Sequence, residues 1–100
     1  MSGGDPRYLA LLDEMKVLHQ KKSADYGRDE DPLANLRASE DIGIPASVGS
    51  WMRAKDKVRR IDKWFLKGSL ENEGVEDSLM DLAAYCLLTI VLLRERQVKT

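Results

Sequence analysis

The stretch Val75–Arg96 reads VEDSLMDLAAYCLLTIVLLRER, and its periodicity decides the fold class. Val75, Leu79, Leu82, Cys86, Ile90 and Leu93 recur at three- and four-residue steps, the spacing of one helical face, where a strand would alternate every second residue. That stripe is expected to be the buried face, with Cys86 as a small core residue. Within it, Leu82–Leu93 is a 12-residue uncharged run closed by Asp81 and Arg94. A membrane span needs roughly 20 apolar residues, so no membrane partner is expected. A second line through Asp77, Asp81, Tyr85, Leu88 and Leu92 falls on nearly the opposite side of the helix. Its later half is apolar, so it too is expected to face protein, with two carboxylates at the mouth of a covered surface.

Working back along the chain, a turn from Gly68 to Gly74 separates this helix from one over about 46–67, for which Gly68 is the stop. Trp51, Val58 and Phe65 read as its apolar centre, with Arg53, Lys57 and Arg60 in an arc about 90° away. Asp31-Pro32 is a cap-plus-proline signal for a short helix over about 32–40, and Asp5-Pro6 gives the same signal for a helix over 6–25 with Gly27 as its C-cap. No alternating β-branched stretch competes. The fold class expected is therefore all-α: an elongated helical bundle of three long helices plus one short helix, forming one domain over 6–97 between a disordered lead (1–5) and a short tail (98–100). Helices of about 20 residues are near 30 Å long, wider than a compact ball of this size. The exposed apolar seam that results is expected to be closed by a homo-oligomer, a dimer or tetramer.

Sixteen Lys and Arg against 17 Asp and Glu give a charge of −1, which argues against nucleic acid as a partner. The balance hides segregation, because residues 53–63 carry six bases and two acids while residues 71–81 carry five acids and no base. An i, i+4 pair such as Asp77 and Asp81 repels itself unless a cation or Lys and Arg stand opposite. Two readings follow. In one, Glu76, Asp77 and Asp81 hold Mg²⁺ while Arg53, Lys57 and Arg60 hold phosphate oxygens. In the other, the same charges form an interhelical salt-bridge network. In the turn Lys22-Ser23-Ala24-Asp25-Tyr26-Gly27, Tyr26 could stack on a base and Asp25 join the metal or read a base edge; the plain alternative is a C-cap with an aromatic lid. Cys86 is the single cysteine, so no intrachain disulfide or zinc cage can form, and a reducing cytoplasm is expected.

Four motifs in order, Lys22–Gly27, Asp31-Pro32-Leu33-Ala34-Asn35-Leu36, Met52–Ile61 and Asn72–Tyr85, resemble the nucleotide modification associated domain 1 family of phages and prophages. The resemblance covers roughly residues 15–93. It implies an all-α protein with a nucleotide-related role in the cytoplasm of a bacterial host, and a fold similar to the MazG-like nucleotide pyrophosphohydrolases, obligate oligomers whose helical carboxylates hold Mg²⁺. It makes Asp25, Lys57, Arg60, Asp77 and Asp81 the counterparts of the family's recurring polar residues, and it sets Lys22 and Tyr26 beside them as nucleotide-binding candidates. The chain departs from the pyrophosphohydrolase pattern, which opposes Glu-x-x-Glu on one helix to Glu-x-x-Asp on the next. Here Glu73-x-x-Glu76 precedes Asp77 and Asp81 on or near one helix, and the preceding helix offers mainly Asp56 amid bases. The departure weighs against hydrolysis and leaves nucleotide binding untouched. Two functions are expected: a nucleotide-binding or nucleotide-processing protein, if an enzyme then a Mg²⁺-dependent phosphoanhydride hydrolase; or a non-enzymatic helical oligomer that sequesters a nucleotide or binds a host protein.

Overall fold

A computed structural model of the chain describes residues 3–26, 31–68 and 74–99, with side chains for all of these except 25, 26 and 97–99. Every regular element among them is helical: α1 (Pro6–Tyr26), the 3₁₀ helix η1 (Ala34–Ile42), α2 (Ala46–Lys67) and α3 (Val75–Lys99). The chain divides into two compact units, residues 1–35 and 36–100.

In the first unit, α1 begins where Asp5-Pro6 places it. The Asp5 carboxylate accepts the Arg7 amide at 2.7 Å and the Arg7 guanidinium at 2.7 and 3.1 Å, an N-cap that also holds the Asp5 carboxyl below the ordinary carboxylate range. Tyr8, Leu9, Leu11, Leu12, Val17 and Leu18 are all exposed along it. The Gly27 cap lies outside the described residues. Asp31 acts as read but with a different result. Its carboxylate accepts the Leu33 amide at 3.1 Å and its carbonyl the Ala34 amide at 3.1 Å, so Pro32 sits in a turn and the helix starts two residues later than expected, as a 3₁₀ helix.

In the second unit, η1 ends at Gly43 in the left-handed region (φ 78°), and the Ile44 amide returns to the Ser39 carbonyl. Gly49 lets η1 lie against α2, since a Cβ there would stand 2.8 Å from the Ser39 hydroxyl and 3.1 Å from its Cβ. Gly68 closes α2 in the left-handed conformation, its amide bonded to the Trp64 carbonyl, as a C′ glycine should. With no glycine or proline after Arg96 to stop it, α3 runs three residues past the expected end.

The helices α2 and α3 pack antiparallel, because Ser50 meets Thr89 while Lys57 meets Asp81. The packed seam differs from the one the large apolar residues suggest. On α2, Ser50, Ala54, Lys57, Ile61 and Trp64 turn inward at helical steps, while Trp51, Val58 and Phe65 are 48, 37 and 71% exposed. On α3, the line Ser78, Asp81, Tyr85, Leu88, Leu92 and Glu95 is covered, whereas Leu79, Cys86, Ile90 and Leu93 are exposed. The line through Asp81, Tyr85, Leu88 and Leu92 thus faces protein as expected; the Val75–Leu93 stripe is not the face that α2 covers. The reason is size. Ser50, Ala54 and Ser78 are wholly buried, and small side chains let two helix axes approach more closely than Trp or Phe would.

Hydroxyl bonding stitches this seam unevenly. Thr89 donates to the Tyr85 carbonyl at 2.7 Å, and Ser50 donates to the Thr89 hydroxyl at 2.9 Å. The Ser78 hydroxyl is buried with no partner among the described residues. A buried unsatisfied hydroxyl costs about 1–3 kcal/mol, so Ser78→Ala is expected to stabilise the protein by about 1 kcal/mol and Ser50→Ala to destabilise it by a similar amount, both read from urea unfolding.

Candidate functional site

The charged residues singled out by sequence divide between the units. Of those in residues 36–100, Lys57 and Asp81 meet: Lys57 Nζ lies 3.0 Å from Asp81 Oδ2, with the two side chains 19 and 21% exposed. Each holds a seam position, Lys57 between Ala54 and Ile61, and Asp81 between Ser78 and Tyr85. Aliphatic residues at those two positions would simply pack. The ionic pair instead offsets the desolvation of each partner by the other, and water and salt screen it less than a surface pair.

The other candidates are placed differently. Arg53 and Arg60 are exposed on α2. Glu76 and Asp77 are exposed in the first turn of α3, where the helix macrodipole favours acids without any ligand. The Asp77 carboxylate lies over the helix start, 3.5 Å from where a Cβ on Gly74 would stand. Lys22 is exposed on α1, in the other unit, and the side chains of Asp25 and Tyr26 lie outside the described residues. Asp81 faces the Lys57 ammonium, and among the described residues no group of three or more His, Cys, Asp or Glu is placed to hold a metal ion.

A second ion pair lies further along the hairpin. Arg37 of η1 grips Glu95 of α3 through two parallel contacts, Nη1 to Oε1 at 2.9 Å and Nη2 to Oε2 at 3.1 Å, with the side chains 26 and 33% exposed. This fork-on-fork geometry is the strong form of an ion pair. It ties η1 to the end of α3, and no local sequence spacing links two residues so far apart.

No family model, curated protein or solved structure matches the chain. No helix among the described residues is long and apolar enough to cross a membrane.

If Lys57 and Asp81 act as a packed pair, each alone is a liability. Lys57→Met and Asp81→Leu are each expected to cost about 1–3 kcal/mol, while the double variant regains most of the loss because no charge is left buried alone. Chemical unfolding of the three variants checks this, and additive losses would contradict it.

Proposed function

We propose that this chain is a self-associating helical protein that binds a nucleotide without hydrolysing it. The observation that carries the reading is the Lys57–Asp81 pair: the carboxylate that a catalytic Mg²⁺ would need is engaged by a lysine inside the α2–α3 seam. Nucleotide binding comes from the family resemblance, with Arg53 and Arg60 exposed on α2 for phosphate contact. Self-association is supported by what the seam leaves outside. Among the described residues of 36–100, the buried apolar side chains are Leu36, Ala46, Ala54, Ile61 and Leu92, two of them alanines. Meanwhile Trp51, Met52, Phe65, Leu66, Leu87 and Ile90 are 43–84% exposed. Fully covering one such side chain is worth about 1.5–3 kcal/mol, so a second copy covering several supplies stability that the hairpin lacks.

One observation favours a second reading, Mg²⁺-dependent phosphoanhydride hydrolysis. Asp77 and Asp81 stand one turn apart on α3 with Glu76 beside them, and a metal would recruit them by drawing Asp81 away from Lys57. Incubation with standard and modified nucleoside triphosphates, with and without Mg²⁺, separates the two. The binding reading expects a nucleotide to raise the melting temperature with no release of pyrophosphate. Mg²⁺-dependent release establishes the enzyme, and no thermal shift from any nucleotide leaves docking on a host protein as the function.

Self-association is checked by light scattering on the size-excluded protein, with a dimer or tetramer expected. Ile90→Glu in the exposed α3 stripe is expected to weaken assembly by an order of magnitude or more, since it places a charge in an apolar contact. A monomer at high concentration would refute self-association.

A further inference from the structure

Among the described residues of the first unit no side chain is buried, and α1, its long element, carries a row of large apolar residues that nothing in that unit covers. Tyr8, Leu11, Leu12 and Leu18 are 40–61% exposed, and Met15 between them is half-buried. At about 100° per residue these five fall within an arc of about 120°. Helices in proteins owe most of their stability to the packing of such a face. A 21-residue helix with its apolar face uncovered is incomplete on its own.

The flanking charges say what completes it. Written as a heptad, the row places Tyr8, Met15 and Lys22 at a, Leu11 and Leu18 at d, and Leu12 and His19 at e. The g column holds Arg7, already paired with Asp5, and then Glu14 and Lys21. These last two are exposed, opposite in charge, about 10 Å apart along the helix, and without an ion-pair partner among the described residues. Two copies of α1 laid antiparallel, with Met15 of each against Leu18 of the other, set Glu14 of each copy beside Lys21 of the other. Both pairs form together, because the two-fold axis relating the copies then passes near residue 17. The same register brings Leu12 against His19, and Leu11 against the aliphatic stem of Lys22, whose ammonium reaches water. Parallel, in-register pairing instead stacks Lys22 on Lys22 at a core position and aligns the two helix dipoles.

We propose that α1 docks antiparallel on α1 of a second copy of this chain through Tyr8, Leu11, Leu12, Met15 and Leu18, with reciprocal Glu14–Lys21 pairs fixing its direction and register. The proposal rests on the self-association reading and gives it a contact separate from the exposed α2 and α3 face. A chain with two such self-complementary surfaces assembles beyond a dimer.

Charge reversal in the full-length chain, followed by sedimentation at low ionic strength, where exposed ion pairs are least screened, tests the contact. Glu14→Lys and Lys21→Glu are each expected to weaken association about tenfold, because both reciprocal attractions become repulsions. An equal mixture of the two variants is expected to associate as the unaltered chain does, since one copy then offers only bases at these positions and the other only acids. The double variant is expected to recover in the same way, and either recovery shows that the single variants are folded. Leu18→Asp, in the apolar row, is expected to weaken association by an order of magnitude or more with no recovery on mixing. An unaltered chain that stays monomeric at high concentration would overturn this contact and the self-association reading together. Association that Ile90→Glu weakens but the reversals leave unchanged, or reversals that mixing fails to rescue, would overturn the α1 contact alone.

Discussion

The close approach of α2 and α3, made possible by Ser50, Ala54 and Ser78 at zero exposure, is the constraint on which the second unit rests. Small side chains bring the backbones together but contribute little apolar area, so the contact needs other sources of stability and specificity. It finds them in the Ser50–Thr89–Tyr85 hydroxyl chain and in the Lys57–Asp81 pair. Both are directional. A one-residue slip along either helix would bury a lysine without its aspartate, so the polar groups fix a register that small apolar residues alone would leave loosely specified.

The same choice determines what faces outward. Because the seam takes the small residues, the large ones, Trp51, Phe65 and Leu66 on α2 and Leu79, Ile90 and Leu93 on α3, lie on the remaining faces. The seam between the two helices thus mixes small, polar and apolar side chains, and several large apolar side chains stand outside it beside the charged residues of α2. The far end of the hairpin follows from the same packing. Gly49 admits η1 against α2, and Arg37 of η1 reaches Glu95 of α3.

Much of the fold is legible in local chemistry. Asp5-Pro6 and Gly68 mark helix ends that geometry reproduces, since caps depend on a few adjacent residues. Asp31-Pro32 marks a turn correctly but not the helix type, because Asp31 satisfies the Leu33 and Ala34 amides before a regular helix begins. The seam is the main error of a hydrophobicity reading. Ranking residues by apolar size selects Trp51, Val58 and Phe65, whereas antiparallel packing at close range selects Ser50, Ala54 and Ile61. The opposite charges of residues 53–63 and 71–81 do foretell that the two helices meet through ions, and Lys57 with Asp81 is the pair that does so. Arg37 with Glu95 leaves no local signal, because nothing near either in sequence reveals what the fold brings opposite.

The register of the α2–α3 seam is the central claim, and a cross-link tests it most directly. With Cys86→Ser removing the native thiol, Ser50→Cys and Thr89→Cys place two thiols where the hydroxyls lie 2.9 Å apart. The account expects rapid, intramolecular disulfide formation with unchanged helical content, and none when Thr89→Cys is replaced by Val91→Cys on the exposed side of α3. Failure of the first pair to close, or equal closure by the second, would contradict the packing from which the rest is argued.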